Sequence, residues 1–327
     1  MRVTGFGDIP DGMLGGVVAI GNFDGVHRGH QLVIDRALGS RTNKTQPVIA
    51  MTFEPHPRTV FKPDEPVARL TDAAMKSTIL QCAGASGVLE VPFSREFSKQ
   101  TADQFVDDIL IGALQAKHVV TGFDFHFGVN RQGGPAFLME AGKKHGFDVS
   151  LVDAERDKTF EVISSSRIRD ALTAGDLGLA NSLFGYKFRV SAEVIHGKQL
   201  GRTLGFPTAN MVLEETMPLA HGVYAVMVHG ADETPLPGIA NFGRRPTVDV
   251  AGGPLLETHI FDRTIDLYDR TFEVSFHAFI RGEQKFSGID ALKEQMDKDA
   301  AKAREILSGT TDFSALDEKL NAAALSE

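Results

Sequence analysis

Residues 21–30 read G-N-F-D-G-V-H-R-G-H, and they decide how the first half of this chain folds. Residues 17–20 before them form a continuous apolar run, rich in β-branched side chains, which is typical of a strand buried on both faces. From Gly29 onward the sequence has the spacing of a helix. The stretch therefore predicts a strand, a tight turn and a helix start.

The predicted turn carries groups that suit phosphate binding. Gly21 lets the backbone approach a ligand closely, and His27 and His30 share one face of the opening helical turn, where free N–H groups and the helix dipole favour anions. On the simplest interpretation, both histidines are ordinary surface residues. Asn22 and Asp24 favour a nucleotide-phosphate site instead, because they follow a strand at the edge where open α/β sheets bind ligands.

A second buried-strand run, residues 47–53, leads into a rigid polar loop. Pro55 and Pro57 fix the loop backbone beside the end of the strand. Taken alone, this loop is an ordinary structural turn. At the same sheet edge as His27, however, this loop would form a wall of the site.

Two longer helices are predicted in the first half. Asp72 caps a helix that runs to about residue 81, and residues 98–114 have the periodicity of a long amphipathic helix. Lys76 lies on a face of the first helix that could reach the site, but a lone lysine on a helix is usually solvated, so we leave it out of the site. Because helices alternate with buried strands, the first half is predicted to contain a parallel sheet.

Residues 122–134 follow another predicted strand and combine three phenylalanines with four glycines. The phenylalanines alone could be strand core, but this interpretation leaves Asp124, Asn130 and Arg131 unexplained. An aromatic, glycine-rich loop at the edge of a sheet can hold a flat heteroaromatic ring on side chains such as Phe125 and leave an arginine for its phosphate.

Residues 163–172 begin a helix with two arginines in its first turns. Ser164 and Ser165 are helix-capping signals, which explains most of the segment. Positive charge from Arg167 and Arg169 opposes the helix dipole there, unless an anion is shared between them. A triphosphate is such an anion.

The sequence pattern changes in the second half, and we place the domain boundary near Gly185. Short strands between turn residues predict an antiparallel barrel, followed by a helix over residues 288–307 and a tail that we expect to be peripheral. Glycines 201 and 205 would press a loop against phosphates, while Thr208 and Asn210 offer neutral oxygen ligands for Mg²⁺.

Composition excludes several classes of protein. At 327 residues, two domains are expected, and a net charge of −9 argues against bulk nucleic acid as a partner. Cys82 is the only cysteine, which excludes an intrachain disulfide. The chain shows neither a membrane-span run nor a signal-peptide pattern, so we expect a cytoplasmic protein without a membrane partner.

The first half resembles a known nucleotidyltransferase family. Residues 21–30 are similar to its H-x-G-H signature, in the form carried by bacterial bifunctional riboflavin kinase/FAD synthetases. Three more motifs agree, at residues 52–57 (T-F-E-P-H-P), 122–133 (G-F-D-F-H-F-G-V-N-R-Q-G) and 163–169 (I-S-S-S-R-I-R). His126 stands where an arginine is common in this family, and Ser166 replaces the usual threonine.

The second half resembles the riboflavin kinase part of the same family. The matching segments are residues 201–210 (G-R-T-L-G-F-P-T-A-N), 241–247 (N-F-G-R-R-P-T) and 256–262, the catalytic-glutamate strand. Residues 263–265, R-T-I, replace the acidic-glycine turn that usually follows it. Glu257 is either an outward-facing strand residue or a base, and we favour the base because a primary alcohol needs one to attack a γ-phosphate.

This resemblance implies both a fold and a pair of reactions. Residues 1–185 would form a Rossmann-like, parallel-sheet FMN adenylyltransferase domain, and residues 186–327 an antiparallel β-barrel riboflavin kinase domain with a terminal helix. The substrates would be ATP, riboflavin and FMN, the final product FAD, and the cofactor Mg²⁺. A homo-oligomer is compatible with the sequence.

Together, the residues and the resemblance define four sets of predicted site residues. The catalytic set is His27, His30, Arg169 and Glu257. The ATP-binding set is Gly21, Asn22, Asp24, His27, His30, Ser164, Ser165, Arg169, Gly201, Arg202 and Gly205. The flavin-binding set is Phe53, Pro55, Asp124, Phe125, Asn130 and Arg131. The metal ligands are Thr208 and Asn210.

Three alternatives remain at this point. The chain could be a riboflavin kinase whose first half binds nucleotide without turnover, or a flavin-binding sensor with no catalysis. A nucleotidyltransferase for a pantetheine or nicotinate phosphate would fit the first half only, and would leave the kinase-like half unexplained.

Overall fold

The computed structural model describes residues 1–196, 206–244, 253–263, 265, 267–309 and 313–325. The chain divides into two compact units. The first comprises Met1–Val67 and Thr71–Ser164, and the second comprises Ala68–Leu70 and Ser165–Glu327. Within the described part of the chain, none of the helices combines the length and the hydrophobicity that a membrane crossing requires.

The first unit is built on a six-stranded sheet whose neighbouring strands all run parallel. The strands are β1 (Arg2–Thr4), β2 (Val17–Ile20), β3 (Val48–Glu54), β4 (Gly87–Pro92), β5 (His118–Gly122) and β6 (Asp148–Val152). The helices are α1 (Arg28–Gly39), α2 (Pro57–Phe61), α3 (Ala73–Cys82), α4 (Ala102–Gln104, continued by Phe105–Ala113) and α5 (Pro135–His145). All four residues of β2 are buried, as its apolar sequence predicts.

Strand order places a crevice beside β2. The order is β1-β4-β3-β2-β5-β6, so the chain builds outward through β3 and β4 and then crosses back to lay β5 on the other side of β2. Ile20, near the end of β2, pairs with Met51 and with Thr121. The carboxyl ends of β2, β3 and β5 therefore share one edge at a topological switch point, where open α/β sheets bind ligands.

The helix predicted over residues 98–114 differs from expectation in its start and hydrogen bonding. It begins at Ala102, where Thr101 and Gln104 form a capping box, and from Phe105 to Ala113 it is a π-helix. Its inward face is nevertheless as predicted, because Phe105, Ile109 and Leu110 are buried in the core.

The second unit contains a closed six-stranded antiparallel barrel, which confirms the predicted fold. Its strands are β7 (Arg189–Ile195), β8 (Ala209–Val212), β9 (Gly222–His229), β10 (Leu236–Gly243), β11 (Leu255–Ile260) and β12 (Thr271–Gly282). Its helices are α6 (Ser165–Thr173), α7 (Leu177–Phe184), α8 (Ile289–Ser308) and α9 (Ala315–Ala323). Helix α8 packs Ala300, Ala303 and Leu307 against the barrel.

The C-terminal tail is not peripheral, contrary to the sequence-based expectation. Asp317 in α9 is 1% exposed and accepts hydrogen bonds from the backbone N–H of Lys187 (2.9 Å) and from Nη2 of Arg189 (3.4 Å). Arg189 is itself buried and also donates to Glu273 (3.1 Å) and Asn321 (3.2 Å). This buried ionic network ties α9 to the barrel.

The network makes α9 a testable part of the fold. Replacing Asp317→Ala leaves Arg189 with one carboxylate fewer in the interior, which we expect to cost about 3–5 kcal/mol of unfolding free energy. Urea unfolding of the full chain measures this loss. Lys298→Ala, which removes an exposed pair with Glu294 on α8, is the control and should cost less than about 0.5 kcal/mol. Equal stability of the two variants would show that α9 is not structural.

Candidate active sites

The turn between β2 and α1 is strained and anchored from both sides. Phe23 (φ 50°) and Val26 (φ 33°) adopt left-handed backbone conformations, which cost of order 1 kcal/mol or more for side chains of this size. The carbonyl oxygen of Asn22 accepts a hydrogen bond from Oγ1 of Thr52 (2.9 Å), and the N–H of Gly25 donates to Oγ1 of Thr71 (3.2 Å). These contacts hold the turn in one conformation.

His27 and His30 come together at the start of α1, as the spacing predicts. His27 is the N-cap residue, and its Nδ1 accepts from the backbone N–H of His30 (3.4 Å). The two rings stack with centroids 3.7 Å apart and planes inclined by 17°. The ring of Phe23 makes a T-shaped contact with the ring of His30, with centroids 5.4 Å apart. A Cβ on Gly29 would lie 3.2 Å from the His27 ring, so glycine leaves room for this stacking.

The surroundings of His30 favour its neutral form. Burial lowers the pKa of the His30 imidazole well below its ordinary value, and the neighbouring charges of His27 and Lys76 lower it further. Among the described residues, Nδ1 of His30 has no hydrogen-bond partner. A polyphosphate placed against the ring would reverse this effect, because an anion raises the pKa and stabilises the imidazolium.

Lys76 is a site neighbour that sequence reasoning missed. It is 4% exposed rather than solvated, its ammonium group forms an ion pair with Glu54, and it lies 3.4 Å from the carbonyl oxygen of Asn22. The available signal was weak: Lys76 is the only charged residue within α3, between Met75 and the buried Ile79. Burial of this face of α3 brings the charge to the turn.

The loop after β5 is closed by its own aromatic and glycine residues. Phe127 pairs with Gly133 across an antiparallel bridge, and a Cβ on Gly133 would lie 2.6 Å from the Phe127 ring. Phe125 stacks on Phe127 with centroids 5.6 Å apart. The exposed Asn130 (φ 54°) and Arg131 (φ 58°) occupy a left-handed turn between these paired ends, so the loop presents polar groups next to a rigid aromatic base.

The remaining predicted flavin residues differ in exposure. Phe53, at the end of β3, is 6% exposed and packs against the rings of Phe93 (5.9 Å) and Phe97 (6.4 Å), whereas Pro55 is exposed. Asp124 is exposed, and its carbonyl oxygen lies 2.8 Å from Nδ1 of His126. Phe53 is thus anchored in the core, and the others face solvent.

The serine–arginine segment spans the division between the two units. Ser164 ends the first unit, and Ser165 begins both the second unit and α6. Within the second unit, Nε of Arg169 donates to the carbonyl oxygen of Ala68 (2.6 Å). This bond orients the guanidinium group of Arg169, and its grouping with His27 and His30 stays a prediction.

The barrel places Glu257 between two asparagines. Glu257 on β11 pairs directly with Asn210 on β8 and with Asn241 on β10, and paired residues of antiparallel strands project from the same face. Asn210 is 4% exposed, and its Nδ2 donates to the carbonyl oxygen of Thr208 (3.4 Å). Sequence reasoning quoted Asn241 within a motif without assigning it to the site. The strand register places Asn241 beside Glu257, which the motif alone does not indicate.

Part of the predicted kinase loop lies outside the described residues, namely Gly201, Arg202 and Gly205, with residues 245–247 of the neighbouring motif. The described donors still form a suitable set for Mg²⁺. Thr208, Asn210 and Glu257 offer hydroxyl, carboxamide and carboxylate oxygens, and Mg²⁺ usually takes one or two protein oxygens together with substrate phosphates. Across the described residues, no three His, Cys, Asp or Glu side chains cluster to hold a metal ion by themselves.

A cleft of about 680 Å³ lies within the second unit, on the side of β11 that carries His259. Nδ1 of His259 lies at hydrogen-bond distance (2.8 Å) from the carbonyl oxygen of Pro207. The rings of His259 and Phe206 make a T-shaped contact with centroids 5.0 Å apart. Arg304 from α8 lies 4.1 Å above the ring of Phe261. Because His259 is two residues from Glu257 on one strand, both project to the same face of the sheet.

The chain is similar to known proteins over most of its length. Two family models match it: FAD synthetase over residues 12–167 and riboflavin kinase over residues 184–307. The bifunctional riboflavin kinase/FMN adenylyltransferase of Escherichia coli K12 is 43% identical over 297 residues, covering 90% of this chain and 94% of that protein. The protein of the same name from Pseudomonas fluorescens is 42% identical, covering 89% of this chain and 93% of its own length.

A solved structure agrees in fold across both units. It is described as a macrolide-efflux protein from Streptococcus pneumoniae, is 30% identical to this chain and has a TM-score of 0.79. The match covers 93% of this chain and 98% of that one.

Proposed function

Because the chain belongs to the bifunctional riboflavin kinase/FMN adenylyltransferase family, we propose that residues 1–185 carry the adenylyl transfer and residues 186–327 the phosphorylation. The chain is a bifunctional enzyme of FAD biosynthesis. It phosphorylates riboflavin with ATP to give FMN, and it adenylylates FMN with a second ATP to give FAD.

The stacked imidazoles at the start of α1 are the observation that supports the adenylyltransferase site. In this reaction an oxygen of the FMN phosphate attacks the α-phosphorus of ATP, and pyrophosphate leaves. No covalent enzyme intermediate is needed when the two phosphates are held in line, because positioning and charge stabilisation lower the barrier. His27, His30 and Arg169 would stabilise the charge that develops on the α-phosphate and on the leaving pyrophosphate.

His30 is suited to this role because its charge can follow that of the ligand. Burial lowers the pKa of the imidazole, and an adjoining triphosphate would raise it again, so the positive charge would arise where the phosphates lie. Gly21, Asn22 and Asp24 would hold the nucleotide from the anchored turn. Ser164 and Ser165 would add hydroxyl and backbone donors at the start of α6.

The loop after β5 fits the flavin side of the same reaction. Phe125 and Phe53 would border the isoalloxazine ring, with Pro55 at its rim, and Asp124 and Asn130 would hydrogen-bond to its polar edge. Arg131 would bind the FMN phosphate, because a guanidinium group pairs with phosphate in a bidentate manner.

In the barrel, the row formed by Asn210, Glu257 and Asn241 supports the kinase site. Glu257 would accept the proton of the ribityl 5′-hydroxyl as that oxygen attacks the γ-phosphorus of ATP and ADP leaves. Thr208 and Asn210 would hold Mg²⁺, which when bound neutralises charge on the ATP phosphates. Gly201, Arg202 and Gly205 would contact those phosphates. The cleft beside His259 would take the flavin ring against Phe206.

We further propose a cytoplasmic enzyme whose partners are small molecules, in agreement with its composition and net charge. A homo-oligomer is compatible with this proposal, which uses no residue from a second copy. A flavin sensor would not need the combination of paired imidazoles and a flanked glutamate. This combination therefore favours catalysis in both halves.

The two-site assignment predicts that the activities can be lost separately. We expect His30→Ala to abolish FAD formation from FMN while leaving FMN formation from riboflavin unchanged, because the kinase site is in the barrel. Glu257→Ala should have the opposite effect. Each reaction is measured alone, by supplying FMN or riboflavin with ATP and Mg²⁺ and separating the flavins by chromatography. Loss of both activities from either folded variant would refute the division.

The contact between Gly29 and the His27 ring gives a second prediction. In Gly29→Ala the methyl group must displace the imidazole by a few tenths of an ångström, and we expect roughly a tenfold loss of FAD formation, because a small misplacement of a catalytic group lowers the rate. Gly39→Ala at the other end of α1 is the matched control, because no atom lies within 4 Å of its added Cβ. Equal activity of the two variants would show that imidazole placement is unimportant.

A further inference from the structure

Lys76 joins three parts of the first unit at one buried point. It belongs to α3, its ion-pair partner Glu54 ends β3, and the carbonyl oxygen that it contacts belongs to Asn22 in the turn after β2. The side chain of Lys76 is 5% exposed and that of Glu54 is 14% exposed. The ammonium group is therefore held in place by protein groups on separate elements.

A buried lysine–glutamate pair is a poor source of stability. Removing both charges from water costs several kcal/mol per ion, and apolar residues of similar volume often stabilise a protein as well or better. Stability alone therefore gives little reason for this pair at the end of β3. Its location gives a better one, because it lies next to the turn that carries the imidazoles.

The carbonyl oxygen of Asn22 links Lys76 to the turn that carries the site residues. It accepts hydrogen bonds from Oγ1 of Thr52 (2.9 Å) and from the ammonium group of Lys76 (3.4 Å). The next residue, Phe23, has the strained φ of 50°, and its ring makes a T-shaped contact with the ring of His30, with centroids 5.4 Å apart. Loss of one donor would let the strained peptide relax and move the ring that supports His30.

We propose that Lys76 is a positioning residue for adenylyl transfer: through the Asn22 carbonyl it fixes the turn that holds Phe23 against His30. This inference rests on the proposed function of the first unit. The positive charge of Lys76 acts on the same histidine, because after burial and His27 it lowers the pKa of His30 further. Lys76 touches neither substrate in this account and acts through the turn.

Four variants separate this role from simple neutralisation of Glu54. They are Lys76→Met, Glu54→Gln, the double variant Lys76→Met/Glu54→Gln, and Lys62→Met as a control for loss of an exposed lysine in the same unit. For each, kcat and KM of FAD formation from FMN are measured, together with FMN formation from riboflavin and thermal unfolding of the full chain.

In Lys76→Met we expect kcat of adenylyl transfer to fall on the order of 100-fold, as for a small misplacement of catalytic groups, with KM for FMN unchanged. Glu54→Gln should lose less, because the ammonium group can still donate to the Asn22 carbonyl. The double variant should recover the unfolding temperature lost in Lys76→Met, since the negative charge that Lys76 neutralised is removed with it, but it should not recover the activity. FMN formation should be unchanged throughout, and Lys62→Met should match wild type.

The double variant decides the matter. If it forms FAD as fast as Glu54→Gln, Lys76 only neutralises Glu54 and the inference is wrong. If KM for FMN rises while kcat is kept, Lys76 acts in flavin binding and the inference is equally wrong. A wild-type enzyme that forms FMN but no FAD would instead refute the proposed function of the first unit, on which the inference rests.

Discussion

The stacking of His27 on His30 is the contact on which the proposed adenylyltransferase site depends. Burial lowers the pKa of His30, and the imidazole of His27, 3.7 Å away, lowers it further, so the neutral form of His30 is favoured before a nucleotide binds. Both rings lie at the start of α1, where the helix dipole favours an anion. In the proposed site, the positive charge would therefore arise when the polyphosphate binds, which avoids the cost of an isolated buried cation.

Sheet topology explains why this contact lies where a nucleotide can reach it. The reversal of strand order beside β2 opens the edge at which the turn, the Glu54–Pro55 segment and the loop after β5 emerge. In the barrel, strand register rather than a turn aligns the side chains of the proposed site. There Asn210, Glu257 and Asn241 form one row across three strands, which would align the proposed base with neutral oxygen ligands without a strained turn. The two proposed sites thus rely on different elements of regular structure.

Sequence reasoning predicted what depends on local patterns. The parallel sheet, the barrel, the α3 cap at Asp72 and the pairing of His27 with His30 follow from periodicity and spacing. It missed what depends on distant partners. The buried Lys76 on α3 pairs with Glu54 at the end of β3, and α9 is structural because Asp317 contacts Arg189, 128 residues away. The role of Asn241 likewise became visible only through strand register. Such contacts leave no periodic trace in a single sequence.

One chain carries both reactions, the phosphorylation of riboflavin and the adenylylation of FMN. The most direct measurement is a time course of the wild-type chain with riboflavin, ATP and Mg²⁺, with the flavins separated by chromatography. We expect FMN to appear first, to pass through a maximum and to decline as FAD accumulates. FMN that accumulates without any FAD would contradict this expectation, as would a chain that makes FAD from added FMN but leaves riboflavin unchanged.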